Sequence, residues 1–207
     1  MDERIEQVLK KIENIAEREK RYWNVPRTTG LFLNMMVKML GAEQVLEIGT
    51  SNGYSGIFFA QALGQKGGRL LTIESHKQRF AEAQSHFQEA GVSSTIEQIF
   101  GHAPEIFSEI FDEKSALYRK LFVDQKKEPF FDLIFIDATK MEYASYFEVL
   151  FQYLKAGGLF IADNALSHQK EMSVYLNSVQ AHPQLENALL PFDNGLMLSY
   201  KMVAGSS

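Results

Sequence analysis

Apolar residues recur at three- and four-residue steps near the start of the chain, at Ile5, Val8, Leu9, Ile12, Ile15 and Ala16. That spacing predicts an amphipathic helix over residues 2–22. A second helical pattern begins after Pro26 and stops at Gly41, a residue suited to a C-terminal cap. Its Leu31, Phe32, Met35, Met36 and Met39 are expected to face a core, since a methionine stripe usually fills one.

From residue 45 the rhythm changes. VLEI (45–48) is a short apolar run, followed by a glycine-bearing turn and a helical pattern from Tyr54 to Leu63. RLLTI (69–73) is the next run, and a helix over 77–90 stops at Gly91. TIEQIF (95–100), DLIFI (132–136) and GLFIA (158–162) follow, the last two separated by a helix over 141–154. Continuous apolar runs alternating with helices predict parallel strands buried on both faces. Near the end, ENALLPF (186–192) and LMLSYKM (196–202) are joined only by Asp193-Asn194-Gly195, so the sheet is expected to finish with an antiparallel strand. Residues 108–129 fit neither rhythm. They are charged yet contain Leu117, Leu121 and Phe122, as a helical insertion or a substrate-selecting lid would.

Composition adds bounds. The 207 residues suit a single domain over 1–207, with an N-terminal helix within 1–23 and the insertion at 108–129. No run approaches the ~20 apolar residues of a membrane span, and the charged N-terminus does not read as a signal peptide, so a cytoplasmic protein is expected. With no cysteine, disulfides and thiolate metal sites are excluded. A formal charge of −5 argues against nucleic acid as the main partner. The basic groups Lys10/Lys11 and Arg18/Lys20/Arg21 interleave with glutamates as on a solvated helix face, and Lys126/Lys127 is the remaining candidate patch.

Two motifs carry chemistry. Glu47-Ile48-Gly49-Thr50-Ser51-Asn52-Gly53-Tyr54-Ser55 joins a strand to a helix, and Gly49 and Gly53 let backbone pass close to a ligand. Open α/β sheets bind nucleosides at such a turn, and Glu74, ending the next strand, is placed to accept from ribose hydroxyls. The spacing is G-x-x-x-G, without the tight first turn that cradles a pyrophosphate, which favours a phosphate-free ligand such as S-adenosylmethionine. The second motif is Asp137 directly after one strand and Asp163-Asn164 directly after the next. Three oxygen-bearing side chains at strand ends suit Mg²⁺ or another divalent cation, although either aspartate could instead cap a following helix. Lys140, three residues past Asp137, is a candidate general base; the other reading is an exposed lysine at a helix start.

VLEIGTSNGYS, TIES, FDLIFIDATKMEY, GGLFIADNA and LPFDNGLMLSYK together resemble the cation-dependent O-methyltransferases, the family of catechol and caffeoyl-coenzyme A O-methyltransferases. The resemblance spans roughly residues 24 to 202, with the motifs in family order. It implies a doubly wound, seven-stranded, mostly parallel Rossmann-like α/β sheet with an antiparallel last strand. It implies that Asp137, Asp163 and Asn164 hold the metal and that Lys140 acts in catalysis with Asp137. Glu74 would bind the ribose, Glu47, Gly49, Gly53 and Ser55 would surround the cofactor, and Asn24-Val25 would cover its methionine end. Ala103 would lie near the adenine, Asp137 near the cofactor as well as the metal, and Asp193 in the acceptor pocket. Asp193-Asn194-Gly195 departs from a common Gly-Asp-Gly, and Ala138 follows the caffeoyl-type branch where the catechol type has His. Methyl transfer from S-adenosylmethionine to a hydroxyl of a small catechol-like or hydroxycinnamoyl-type acceptor is therefore expected, by a homodimer. The competing readings are the same chemistry on a tRNA hydroxyuridine, a nicotinamide dehydrogenase, and a cofactor-binding protein without catalysis.

Overall fold

The computed structural model describes residues 2–20, 24–122, 131–191 and 193–203. Arg21, the pair Lys126/Lys127, the later part of the 108–129 segment and Phe192 lie outside these. Seven strands form one mixed sheet in the order β3-β2-β1-β4-β5-β7-β6. They are β1 (Gln44–Ile48), β2 (Arg69–Glu74), β3 (Ile96–Phe100), β4 (Phe131–Ile136), β5 (Leu154–Ala162), β6 (Leu185–Leu190) and β7 (Leu196–Lys201). The chain divides into two compact units, residues 1–100 and 101–207.

In the first unit β1, β2 and β3 pair in parallel, with Glu47 opposite Thr72 and Glu74 opposite Phe100. Four helices accompany them: α1 (Glu3–Glu19), α2 (Arg27–Leu40), α3 (Tyr54–Leu63) and α4 (Lys77–Ala90). Asp2 caps α1 by accepting from the Arg4 and Ile5 N–H groups. Ile5, Val8, Leu9 and Ile12 are buried, and α1 packs on α3 and α4. Its apolar stripe is thus largely covered within the chain, with Ile15 and Ala16 half-buried. Gly41 and Gly91 end α2 and α4 in the left-handed conformation.

Helix α2 turns a different face inward from the one its apolar residues suggest. Leu31, Met35 and Met39 are exposed, whereas Thr29, Gly30, Leu33, Asn34 and Val37 are buried. The cause is close approach to α3. A Cβ at Gly30 would lie 2.5 Å from the Phe58 ring, and Asn34 Nδ2 donates to the Phe58 carbonyl at 2.8 Å. Backbone contact with α3, rather than side-chain apolarity, sets the rotation of the helix.

In the second unit β4 and β5 are parallel, and β7 runs antiparallel between β5 and β6. The antiparallel final strand expected from the sequence is present. Strand β5 starts at Leu154, earlier than expected, because α7 (Tyr143–Leu150) is short and flanked by two 3₁₀ turns. Helix α8 (Ser173–Ala181) had no counterpart in the sequence pattern. The segment read as an insertion contains the end of α5 (Ala103–Ile110) and all of α6 (Ala116–Leu121). Leu121 and Phe122 are buried and α6 packs on α5, while Asp112, Glu113, Lys114, Arg119 and Lys120 stay exposed. No helix among the described residues is long and apolar enough to cross a membrane.

Candidate active site

The glycine turn of the first unit is built by hydrogen bonds from β2. Gly49 and Thr50 both donate to the Ile73 carbonyl, at 3.0 and 3.1 Å, and Gly53 N–H returns to the Thr50 carbonyl at 2.9 Å. Gly49 and Gly53 have φ of 101° and 87°, which a Cβ would oppose. At Gly53 a Cβ would also lie 2.6 Å from Phe87, so this glycine serves the packing of α3 on α4.

Glu74 ends β2 and is buried. Its Oε2 accepts from Ser51 N–H and its Oε1 from His76 N–H, both at 2.7 Å. A carboxylate offers about four acceptor positions, so both oxygens keep capacity for further donors. Glu47 is fully buried on β1 and accepts from the Ser55 hydroxyl at 2.5 Å and the Thr72 hydroxyl at 2.6 Å. Ser55 is therefore fixed by Glu47, a pairing that the two motif positions did not announce. Val25 is buried, and Asn24 Oδ1 is a buried oxygen without a hydrogen-bond partner.

In the second unit Asp137 follows β4, and Asp163-Asn164 follow β5. Parallel pairing of Ile136 with Ala162 brings the two strand ends level. Asp163 N–H also donates to the Ile136 carbonyl at 3.0 Å. Lys140 Nζ lies 2.9 Å from Asp137 Oδ1, and both side chains are mostly buried. The lysine opens a 3₁₀ turn, with Nζ 5.6 Å from the centre of the Tyr143 ring. Tyr143 was not foreseen. Fully buried, its hydroxyl accepts from Ala138 N–H at 3.2 Å and pins the backbone beside Asp137.

Neither aspartate caps a helix. The 3₁₀ turn is preceded by Thr139 and α8 by Met172, without side-chain capping in either case. Asp163 Oδ1 and Asn164 Oδ1 are buried without a hydrogen-bond partner. Burial, reinforced by the charge of Asp137, pushes the Asp163 carboxyl up to about 7. Asn164 holds a left-handed φ of 68°, which asparagine tolerates better than most residues. The following backbone is clamped to the turn between β6 and β7. Ala165 N–H donates to the Gly195 carbonyl at 2.9 Å, and Leu166 and Ser167 N–H both donate to Asn194 at 3.0 Å. A Cβ at Gly195 would meet Leu166 backbone nitrogen at 2.7 Å, which explains a glycine there, and the charge of Asp193 acts on Asp163. Ala103 is the buried first residue of α5.

The family model described as O-methyltransferase matches residues 2–202. The chain belongs to the O-methyltransferase family. Among its curated relatives, a flavonoid 3',5'-methyltransferase of Vitis vinifera is 28% identical over 93% of this chain and 81% of its own. A catechol O-methyltransferase of Niastella koreensis is 32% identical, over 76% of this chain and 65% of its own. The solved O-methyltransferase of Bacillus cereus in complex with SAH has a TM-score of 0.76 and 26% identity, covering 97% of this chain and 92% of that one. The S-adenosylmethionine-dependent O-methyltransferase expected from the sequence is thus met, and the dehydrogenase reading falls.

Proposed function

We propose that this O-methyltransferase moves the methyl group of S-adenosylmethionine to one of two neighbouring hydroxyls on a small catechol-like or hydroxycinnamoyl-type acceptor, assisted by a divalent cation. The observation that carries the cation is the pair of buried, unpartnered oxygens on Asp163 and Asn164 at the end of β5. Asp163 carries a costly charge there, and a hard cation is the partner that would offset it.

Asp137, Asp163 and Asn164 would hold Mg²⁺ or a similar ion. Such an ion, when bound, favours the ionised form of an acceptor hydroxyl near neutral pH. The chain's own residues do the rest. Glu74 uses its remaining acceptor capacity for the ribose hydroxyls, while Gly49, Gly53, Ser55 and Glu47 shape the turn around the donor. The Asn24-Val25 segment and Ala103 are further donor contacts in this reading, and Asp137 serves donor and cation alike. Lys140, oriented by Asp137, would take the proton of the acceptor hydroxyl in its neutral amine form and become the ammonium that pairs with Asp137. The acceptor oxygen then forms its bond to the methyl carbon as the carbon–sulfur bond breaks, its electron pair staying on sulfur. Ordering both reactants supplies much of the acceleration. Asp193, whose charge acts on Asp163, borders the acceptor in this reading.

The acceptor class is supported by relatives named for flavonoid, catechol and caffeoyl-CoA substrates. The tRNA alternative draws no such support. A homodimer remains part of the proposal, to be checked by sedimentation against the 23.6 kDa chain mass. Incubation with methyl-labelled S-adenosylmethionine and a panel of catechols, flavonoids and hydroxycinnamoyl thioesters tests the acceptor. Label in one of these classes is expected; label in none would overturn the assignment.

A further inference from the structure

Helix α1 belongs to neither motif, yet it ends in a polar junction with the glycine turn. Tyr54, the first residue of α3 and the neighbour of Gly53, is buried, and its hydroxyl donates to Glu13 Oε1 on α1. The same Glu13 oxygen accepts from Arg27 Nη1 at 2.7 Å. Arg27 is the first residue of α2, and its other nitrogen Nη2 pairs with Glu6, two turns further back on the same face of α1. Burial and the Glu13 carboxylate together push the Tyr54 hydroxyl up, so it stays a neutral donor.

One carboxylate therefore fastens the starts of two helices. Through Tyr54 it fixes the residue that follows the glycine turn. Through Arg27 it fixes the residue that follows the 24–26 segment, where Asn24 Oδ1 is buried and unpartnered. The helix carrying Glu13 is itself anchored to α4 along its length. Arg4 donates to the Glu89 and Gln88 carbonyls at 2.5 and 3.0 Å, and Lys11 pairs with Glu89 at 2.5 Å. The arrangement is a brace, with α4 at one end and the two backbone segments at the other.

We infer that Glu13 is a positioning residue for the methyl donor, acting through Tyr54 and Arg27 to hold the glycine turn and the 24–26 segment in their binding geometry. This rests on the donor site proposed above. Glu13 itself touches neither reactant in this account. Its effect is on the free energy of ordering the site, so it appears in donor affinity and not in the chemical step.

The test is calorimetric binding of S-adenosylhomocysteine to the full chain, with donor KM and kcat measured in parallel. Tyr54→Phe keeps the ring and removes only the hydroxyl. Glu13→Gln keeps the shape and removes the charge. Each is expected to weaken binding by about tenfold, the scale of one charge-assisted hydrogen bond. Donor KM should rise in step while kcat at saturating donor stays within about twofold. The double variant should be no worse than the weaker single, because both act through one junction. Arg18→Ala, which removes an exposed pair with Glu19 that takes no part in the brace, should bind as the wild type does. Wild-type affinity in Tyr54→Phe and Glu13→Gln, or an equal loss in Arg18→Ala, would overturn the inference while leaving the donor site intact. A wild-type protein that does not bind S-adenosylhomocysteine would instead overturn the donor site, and the inference with it.

Discussion

The Glu74 carboxylate accepts a hydrogen bond from the Ser51 backbone N–H at 2.7 Å, tying the end of β2 to the middle of the glycine turn. Ser51 has a φ of 49°, an uncommon conformation for a residue with a β-carbon, and the bond helps to hold it. The acid expected to bind a ribose therefore also builds the turn beside it.

That double role separates two substitutions. Glu74→Gln keeps an acceptor for Ser51 but loses charge, and it should weaken S-adenosylhomocysteine binding by about 1–2 kcal/mol. Glu74→Ala leaves the Ser51 and His76 N–H groups without this partner and should cost more in both affinity and thermal stability. Calorimetry and thermal unfolding of the two variants read this directly. Equal affinity in Glu74→Ala and wild type would contradict the assignment.

Packing of α2 on α3 predicts opposite outcomes for neighbouring positions. Gly30→Ala would drive a Cβ into the Phe58 ring and should destabilise the protein by about 1–3 kcal/mol. Met35→Gln, on the exposed face, should change stability by no more than about 0.5 kcal/mol. Denaturant titration of both variants decides the orientation of the helix.

These positions also show where sequence reading reached its limit. The strands were legible because continuous apolar runs such as DLIFI and RLLTI have few other uses. Helix α3 and helix α4 were legible to the residue because each lies between a strand and a glycine stop. Helix α2 was misread because its inward face is chosen by a missing side chain, Gly30, and a polar one, Asn34. Neither raises apolar periodicity. Asp137, Asp163 and Asn164 were legible as strand-end residues, and the structure brings β4 and β5 level. Tyr143 beside Ala138 and Ser55 on Glu47 were not, since a hydrogen bond between side chain and distant backbone or carboxylate leaves no period in the sequence. The Glu13–Tyr54 contact bridges residues 41 positions apart and is invisible for the same reason.

His102, preceding α5, sits between two acids. Its Nδ1 pairs with Glu105, and its Nε2 lies 3.2 Å from Glu142, which raises the imidazole above its ordinary value. A histidine raised by folding contributes stability in full below its unfolded value, about 6.5, and loses it as pH rises through the folded value. Wild type should therefore exceed His102→Gln in Tm at pH below about 6, with the gap closing toward alkaline pH. A gap that grows with pH would contradict the pairing.

At Asp163 stability also falls as pH rises, here because burial disfavours the charged form. A carboxyl pushed up to about 7 by burial and by Asp137 makes the metal-free protein lose stability as pH climbs from the ordinary carboxylate range toward that value. Asp163→Asn should then raise Tm in the presence of a chelator well above pH 7, while removing the stabilisation that Mg²⁺ gives the wild type. Thermal unfolding with and without Mg²⁺ measures both. A less stable Asp163→Asn under chelation would mean that the charge is compensated inside the protein.

The central claim is that Asp137, Asp163 and Asn164 hold a divalent cation on which methyl transfer depends, and the most direct measurement is turnover after exhaustive chelation. With an accepted catechol-type substrate, the chelated wild-type enzyme should lose at least about 100-fold in kcat/KM, roughly 2.7 kcal/mol of transition-state stabilisation. Binding of S-adenosylhomocysteine should be nearly unchanged, and added Mg²⁺ should restore the rate. Full turnover in the chelated enzyme would contradict the account, leaving the two aspartates and Asn164 as features of the fold and not of the reaction.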